Sequence, residues 1–395
     1  MNDVHLDQPY PINTFFWFFE ARDNPKSAPL SIWLNGGPGS SSLMGLLQEH
    51  GPCRVNPDSN STELNSWSWN NHVNMLYIDQ PVQVGFSYDV LKNGTLNQLT
   101  QSWDVSPFEG AMPECNNTFR LGTFPSMNSI KTANTTEDAA RALWHFSQTW
   151  FTEFPEYKPL NNRVSIWTES YGGHYGPAFA SFFQEQNEKI SRLSSGNGSA
   201  HYIHLDTLGI INGCIDQLVQ APAFPKMAHD NTYSIQAINS TISNLALNNY
   251  YKPGGCEDQI HLCRHLAADG DPNMYGNNDT VNSACSQANT YCRYQVEAAY
   301  YNYSTRSSYD ISHQYPDPFP PPFYMGFLNQ GWVQSALGVP LNYSFATASS
   351  YGAFRSTGDY PRQDIRGYLG DIGHLLDLGI KVALVYGDRD YACNW

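Results

Sequence analysis

No hydrophobic run in this chain approaches the roughly 18 residues that a membrane-spanning helix requires. Charge is scarce as well. Asp, Glu, Lys and Arg make up 14% of the 395 residues, and acidic residues outnumber basic ones 36 to 21, for a net charge of −15. That balance excludes nucleic acid and anionic membranes as expected partners. No two cysteines stand in a Cys-x2-Cys spacing, which argues against a structural zinc site. No lysine follows the glycine-rich loop that starts at Gly36, so it is not a phosphate-binding loop. No basic or apolar leader follows Met1, and no internal repeat is visible. Neither a metal nor a cofactor is expected.

What is present points to a large α/β protein from an oxidising compartment. Hydrophobic residues reach 41%, enough for a sizeable core. Of the eight cysteines, four cluster between Cys256 and Cys292. Glycosylation sequons begin at Asn60, Asn93, Asn116, Asn134, Asn197, Asn239, Asn278, Asn302 and Asn342. The aromatic stretch Asn13 to Arg22 reads as a buried strand. So do the apolar runs Leu30 to Leu34, Val73 to Asp79, Thr207 to Asn212 and Ile380 to Tyr386. A helix is expected from about Thr135, with Asp138 as a capping-box acid and Ala139, Leu143, Phe146 and Trp150 on one face. Asn93 to Asn134 is polar and turn-rich and reads as a surface excursion. From Cys214 to about Gly331 the composition shifts to Asn, Tyr and Ser without strand runs, and then a core pattern resumes. The expected organisation is an α/β core in residues 1–213, an inserted cap in 214–331, and the rest of the core in 332–395, around a mostly parallel sheet.

One stretch, Arg163 to Pro177, organises the rest. Val164, Ile166 and Trp167 read as a short strand. Ser170 stands at a sharp turn, and a helix follows through Ala178, Phe179 and Phe182. A serine so placed lifts its hydroxyl off the sheet edge, with a helix N-terminus behind it. Thr168 occupies the position where the usual motif has glycine, which crowds the turn. The plain alternative is a surface serine at an ordinary strand-to-helix turn.

Four motifs then agree: Trp33-Leu34-Asn35-Gly36-Gly37-Pro38-Gly39-Ser40-Ser41-Ser42; Ile78-Asp79-Gln80-Pro81-Val82 with Gly85-Phe86-Ser87-Tyr88; Glu169-Ser170-Tyr171-Gly172-Gly173-His174-Tyr175; and Gly387-Asp388-Arg389-Asp390 with Cys393-Asn394-Trp395. In order and nearly end to end, the chain resembles the serine carboxypeptidases, a family with the α/β-hydrolase fold, and is nearest to secreted fungal members. The resemblance implies that Ser170 is the nucleophile and Asp390 the acid of its triad, with Asp388 shaping the loop. It implies an oxyanion hole from the backbone N–H groups of Gly37 and Tyr171. It also implies that Asn35, Gly36, Glu49 and Glu169 hold the substrate's C-terminal carboxylate. Two glutamates held close share a proton, and the protonated pair donates to a carboxylate at acid pH.

The family's cap further implies disulfides Cys256–Cys292 and Cys263–Cys285, and Cys53 is matched with Cys115. Cys393 corresponds to a family thiol that is normally free. Ser40 stands where many members have a bridged cysteine. No cysteine occurs between Asn342 and Ser350, where its partner is sought, so both ends of that bridge are expected to be missing. Met44 and Tyr360 fall at positions that suit either a substrate pocket or the core.

The implied activity is removal of C-terminal amino acids from peptides through an acyl-enzyme at acidic pH, in a secreted or vacuolar setting. Its partners are peptides with a free C-terminus. The family's catalytic histidine follows the aspartate loop, whereas this chain stops at Trp395. The sequence is therefore expected to be truncated at both ends, and its 395 residues alone to turn over peptides only at a trace rate. His174 and His374 are not expected to substitute. Two rival functions remain: an acyltransferase on the same scaffold, against which Glu49 and Glu169 speak, and a non-catalytic secreted glycoprotein.

Overall fold

The apolar runs assemble into a six-stranded sheet. The structure, a computed structural model, describes residues 9–97, 103–105, 118–193, 200–317 and 320–395. In chain order come β1 (Phe16–Phe19), β2 (Leu30–Leu34), the small hairpin β3 (Cys53–Val55) and β4 (Thr62–Leu64), and β5 (Asn74–Ile78). Next are β6 (Lys92–Asn97), β7 (Trp103–Val105), β8 (Phe119–Phe124), α1 (Thr136–Glu153), β9 (Arg163–Glu169), α2 (Gly172–Leu193) and β10 (His204–Ile211). A helical segment follows: α3 (Gln217–Gln220), α4 (Ala223–His229), α5 (Ser240–Tyr251), α6 (Cys256–Gly270), α7 (Asp279–Cys292) and α8 (Ala298–Tyr303). The chain then forms α9 (Phe323–Leu328), α10 (Gly331–Leu337), α11 (Ala348–Thr357), α12 (Gly367–Asp377) and β11 (Lys381–Val385). The sheet order is β1-β5-β2-β9-β10-β11. Only the β1–β5 pairing is antiparallel.

Strands β2 and β5 are buried at every position, because elements cover both faces of the sheet. Side-chain alternation divides them between two cores. Leu30, Ile32, Leu34, Leu76 and Ile78 pack with Leu143 and Trp150 of α1, Phe179 and Phe183 of α2 and Leu375 of α12. Trp33, Met75 and Tyr77 face the other way, onto Leu46, Leu47 and the Tyr324, Phe327 and Val333 side chains of α9 and α10. Each fully buried side chain of this size contributes about 1.5–3 kcal/mol. The α1 face expected from the sequence is the one that packs, with Trp150 against Phe16 and Phe18 of β1. The Thr135 hydroxyl caps the helix, accepting the Asp138 N–H at 3.2 Å. The Asp138 carboxylate does not complete a capping box, because it turns to Arg141 at 2.7 Å.

Two readings are corrected. The stretch after Asn93 is not merely a turn-rich excursion: β6 pairs with β7 and β8 in a separate antiparallel sheet, with Trp103 edge-on to Phe124. Its strands carry Gly94, Thr95 and Arg120 where a buried strand would carry apolar residues. Strand β11 forms as expected but is not buried. Among the described residues it is the last strand of the order, and Leu384 and Val385 are 53% and 49% exposed.

Helices α6 and α7 are joined by Cys256–Cys292 and Cys263–Cys285, the pairs the resemblance implied. Cys53 carries no disulfide among the described residues, and Cys115 lies outside them. Of the sequon asparagines, Asn60, Asn93, Asn239 and Asn302 are exposed, whereas Asn134, Asn278 and Asn342 are half-buried. Asn342 is tied down, accepting from the Thr123 N–H and donating to Asn329. Asn116 and Asn197 lie outside the described residues. No helix of the described residues is long and apolar enough to cross a membrane.

Candidate active site

Strand β9 ends at Glu169, α2 begins at Gly172, and Ser170 between them adopts φ +60°. A left-handed backbone at a serine costs about 1–3 kcal/mol and persists only where its surroundings enforce it. Here the Ser170 N–H donates to Ile211 O at 3.0 Å, while Ser170 O accepts from the N–H groups of Gly173 and Cys214 at 2.9 and 2.8 Å. The turn is crowded by Thr168, as its sequence suggested. A Cβ on Gly172 would lie 2.5 Å from the Thr168 Cβ, and one on Gly176 would lie 2.8 Å from the Thr168 hydroxyl. That hydroxyl donates to Gly172 O at 2.8 Å.

The glycine-rich loop backs onto this turn. A Cβ on Gly36 would stand 2.3 Å from Tyr171 N and 2.5 Å from Glu169 O. Gly37, the next residue, takes φ +115°. Among the described residues, neither the Gly37 nor the Tyr171 N–H has an acceptor in the protein. Two such donors beside the positive end of α2 suit an anionic oxygen.

Asn35 follows β2. Its Oδ1 accepts from Trp33 Nε1 at 2.8 Å and from the Gly45 N–H at 3.1 Å. The amide is thereby oriented so that Nδ2 donates to Glu169 Oε2 at 2.6 Å. Glu49 sits at the end of a single wide turn, Gly45–Glu49, and burial pushes its carboxyl up to about 7. Glu169 is held well above the usual carboxylate range, chiefly by burial and then by the charges of Glu49 and Asp390, against the bond from Asn35. The structure thus brings Asn35, Gly36, Glu49 and Glu169 together beside Ser170, with two carboxyls that resist simultaneous ionisation.

Asp390 follows β11. It is 6% exposed and accepts from Asn212 Nδ2, from the Ala392 N–H at 2.8 Å and from the Cys393 N–H at 3.4 Å. Burial still raises it to about 6. Asp388 is exposed and accepts from the Tyr233 hydroxyl, so its contact is with the helical segment. His174 is buried, with Nδ1 and Nε2 facing the carbonyls of Cys214 and Tyr360 at 2.5 and 2.9 Å. His374 lies in α12. Among the described residues no imidazole is hydrogen-bonded to Ser170 or Asp390.

The free thiol expected at Cys393 is not there: Cys393 is bonded to Cys214. Cys214 closes the loop after β10, and Cys393 lies in the loop after the neighbouring strand β11, so their Cα atoms are 5.0 Å apart. The sequence reading left Cys214 unassigned. The signal for it was two cysteines beyond the ends of apolar runs that pair as adjacent strands. Asn212 and Asp359 were also passed over. Asp359 accepts from the Tyr171 hydroxyl at 2.5 Å and from the Thr136 N–H and hydroxyl at 3.0 and 2.6 Å. It so ties the start of α1 to the serine turn, and nothing local in its sequence marks it. Ser40 forms an isolated bridge with Ala346, within the segment where its partner was sought. Tyr360 is a core residue, its ring stacked on His174 at 5.0 Å, and Met44 is half-buried against the second core.

Known proteins resemble this chain in sequence and in fold. The sequence model of the family described as serine carboxypeptidase matches residues 5–395. Carboxypeptidase S1 homolog A of Arthroderma otae is 56% identical over 395 residues, covering 100% of this chain and 60% of that protein. Carboxypeptidase S1 of Penicillium janthinellum is 34% identical, covering 97% of this chain and 75% of that one. Among solved structures, the prohormone-processing carboxypeptidase Kex1ΔP of Saccharomyces cerevisiae aligns with 100% of this chain and 72% of its own, with a TM-score of 0.62 and 25% identity. The chain spans about 60% of the length of the A. otae relative. It belongs to the serine carboxypeptidase family and has the α/β-hydrolase fold.

Proposed function

We propose that this chain forms the site of a serine carboxypeptidase that releases C-terminal amino acids from peptides through an acyl-enzyme, at acidic pH. The observation that carries the reading is the pair of raised carboxyls, Glu49 and Glu169, with Glu169 bonded to Asn35 and directly preceding Ser170. A protonated pair donates to the substrate's terminal carboxylate and, with Asn35 and Gly36, sets the scissile carbonyl one residue away at Ser170. Ser170 Oγ attacks that carbonyl. The N–H groups of Gly37 and Tyr171 take the developing oxyanion. The acyl-enzyme forms as the terminal amino acid leaves, and water then releases it. Asp390 orients and stabilises the imidazolium of the family's catalytic histidine, which moves the protons in both steps. The helical segment 214–331 acts as a cap over the site. Sequons and disulfides fit a secreted or vacuolar location.

The test uses the protein expressed from its own gene, given one peptide as the free acid and as the C-terminal amide at acid pH. Stepwise release of single residues from the free acid, and slow release from the amide, is the expected result. Internal cleavage, or equal rates on both forms, contradicts the reading.

A further inference from the structure

The bridge between Cys214 and Cys393 lies inside the catalytic region. Cys393 Sγ is 3.9 Å from Ser170 Oγ, and the two cysteines are 6% and 4% exposed. Each half is bonded to a different working part. The Cys214 N–H donates to Ser170 O at 2.8 Å, and Cys214 O faces His174 at 2.5 Å behind the serine turn. The Cys393 N–H and its neighbour's, Ala392, both donate to Asp390 Oδ1. Asn212, two residues before Cys214, donates to the other oxygen of the same carboxylate. The sequence separation is 179 residues, so the whole helical segment lies between the two loops that the bridge closes together.

We propose that Cys214–Cys393 is a positioning element: it fixes the Asp390 loop to the Ser170 turn and makes the reactivity of Ser170 sensitive to dithiol reductants. The inference rests on the carboxypeptidase reading only for the substrate used below. A dithiol opens the bridge by two exchanges, in which two electrons and two protons pass to Cys214 and Cys393 while the reagent closes to its own cyclic disulfide. The S–S bond breaks, both thiols form, and the Asp390 loop is held only by hydrogen bonds. A displacement of about 1 Å between such groups can cost on the order of 100-fold in rate. While closed, the bridge also leaves no thiolate beside Ser170 for alkylating or mercurial reagents to attack.

The experiment treats the protein expressed from its own gene with dithiothreitol under native conditions. Thiols are alkylated and located by mass spectrometry, and the rate of Ser170 labelling by a fluorophosphonate is measured together with kcat and KM for a blocked dipeptide. With Cys214–Cys393 open, labelling and kcat are expected to fall by about 10-fold or more while KM moves less than about twofold. Reoxidation restores both. A purely structural loss would lower the amount of folded enzyme and leave the rate per labelled molecule unchanged. The double variant Cys214→Ala/Cys393→Ala is expected to show the low rate from the start and to ignore reductant. An unchanged labelling rate with the bridge open, or alkylation of Cys393 without reductant, overturns the proposal. So does a Ser170 that is labelled in neither state. If labelling follows the bridge but the dipeptide is not cleaved, the bridge proposal stands and the carboxypeptidase reading falls.

Discussion

Glu49 keeps its proton at acid pH and loses it as pH rises through about 7, because burial holds its folded-state carboxyl at that value. Glu169 is shifted the same way, by burial and by its charged neighbours. On the proposed reading, the protonated form donates to a substrate carboxylate and the ionised form repels it. KM of the native enzyme for a blocked dipeptide is therefore expected to rise from about pH 5 to about pH 8. Glu49→Gln and Glu169→Gln keep an amide donor at every pH, so their KM is expected to rise much less over that range. A native-like KM profile in both variants would show that these carboxyls do not bind the substrate carboxylate. At this scale the sequence was informative where a residue sat inside a contiguous motif, as Asn35, Glu169 and Ser170 do. It was silent on Asp359 and Asn212, whose partners come from distant segments, and misleading on Cys393, whose bridge needs two loops brought together by β10 and β11.

Elements succeed or fail here by close approach. The loop after β2 meets the turn before α2 at Gly36, where an added Cβ would stand 2.3 and 2.5 Å from backbone atoms of Tyr171 and Glu169. Backbone cannot rotate away as a flexible side chain can, so Gly36→Ala must separate the two N–H groups. The expected result is a loss of kcat on the order of 100-fold, the scale of losing one oxyanion donor, with the protein still folded. Gly331→Ala, at the first turn of α10 with nothing within 4 Å, is the control. It is expected to be neutral or to stabilise by up to about 1 kcal/mol. Retention of near-native kcat in Gly36→Ala would show that the two loops are not jointly used. The strands of the main sheet were legible because their apolar runs are continuous. β6 and β8 were not, because a glycine and polar side chains break their alternation.

At the scale of the molecule, several carboxyls are raised together. Glu49, Asp79 and Asp371 lie at about 7, and Asp138 and Asp390 at about 6, in each case chiefly through burial. Each binds a proton in the folded state that the unfolded chain has released above its ordinary value. Their contribution to stability is present at acid pH and is lost as pH rises through about 6 to 7. His50, lowered to about 3 by burial, and His174 and His201, also lowered chiefly by burial, work in the opposite sense, since they stay neutral while the unfolded chain protonates below about 6.5. The five carboxyls outnumber the three histidines, so Tm is expected to be higher near about pH 5.5 than near about pH 8. A flat or reversed Tm profile in scanning calorimetry would contradict that account of the buried groups.

Ser170, lifted on its left-handed turn beside the Glu49–Glu169 pair, is expected to perform the chemistry. The most direct measurement is to titrate the protein expressed from its own gene with a fluorophosphonate, mapping the labelled peptide while following release of C-terminal residues. One adduct is expected, on Ser170, with activity lost in proportion to it and neither label nor turnover in Ser170→Ala. Labelling of another serine, or peptide turnover that survives full modification of Ser170, would contradict it.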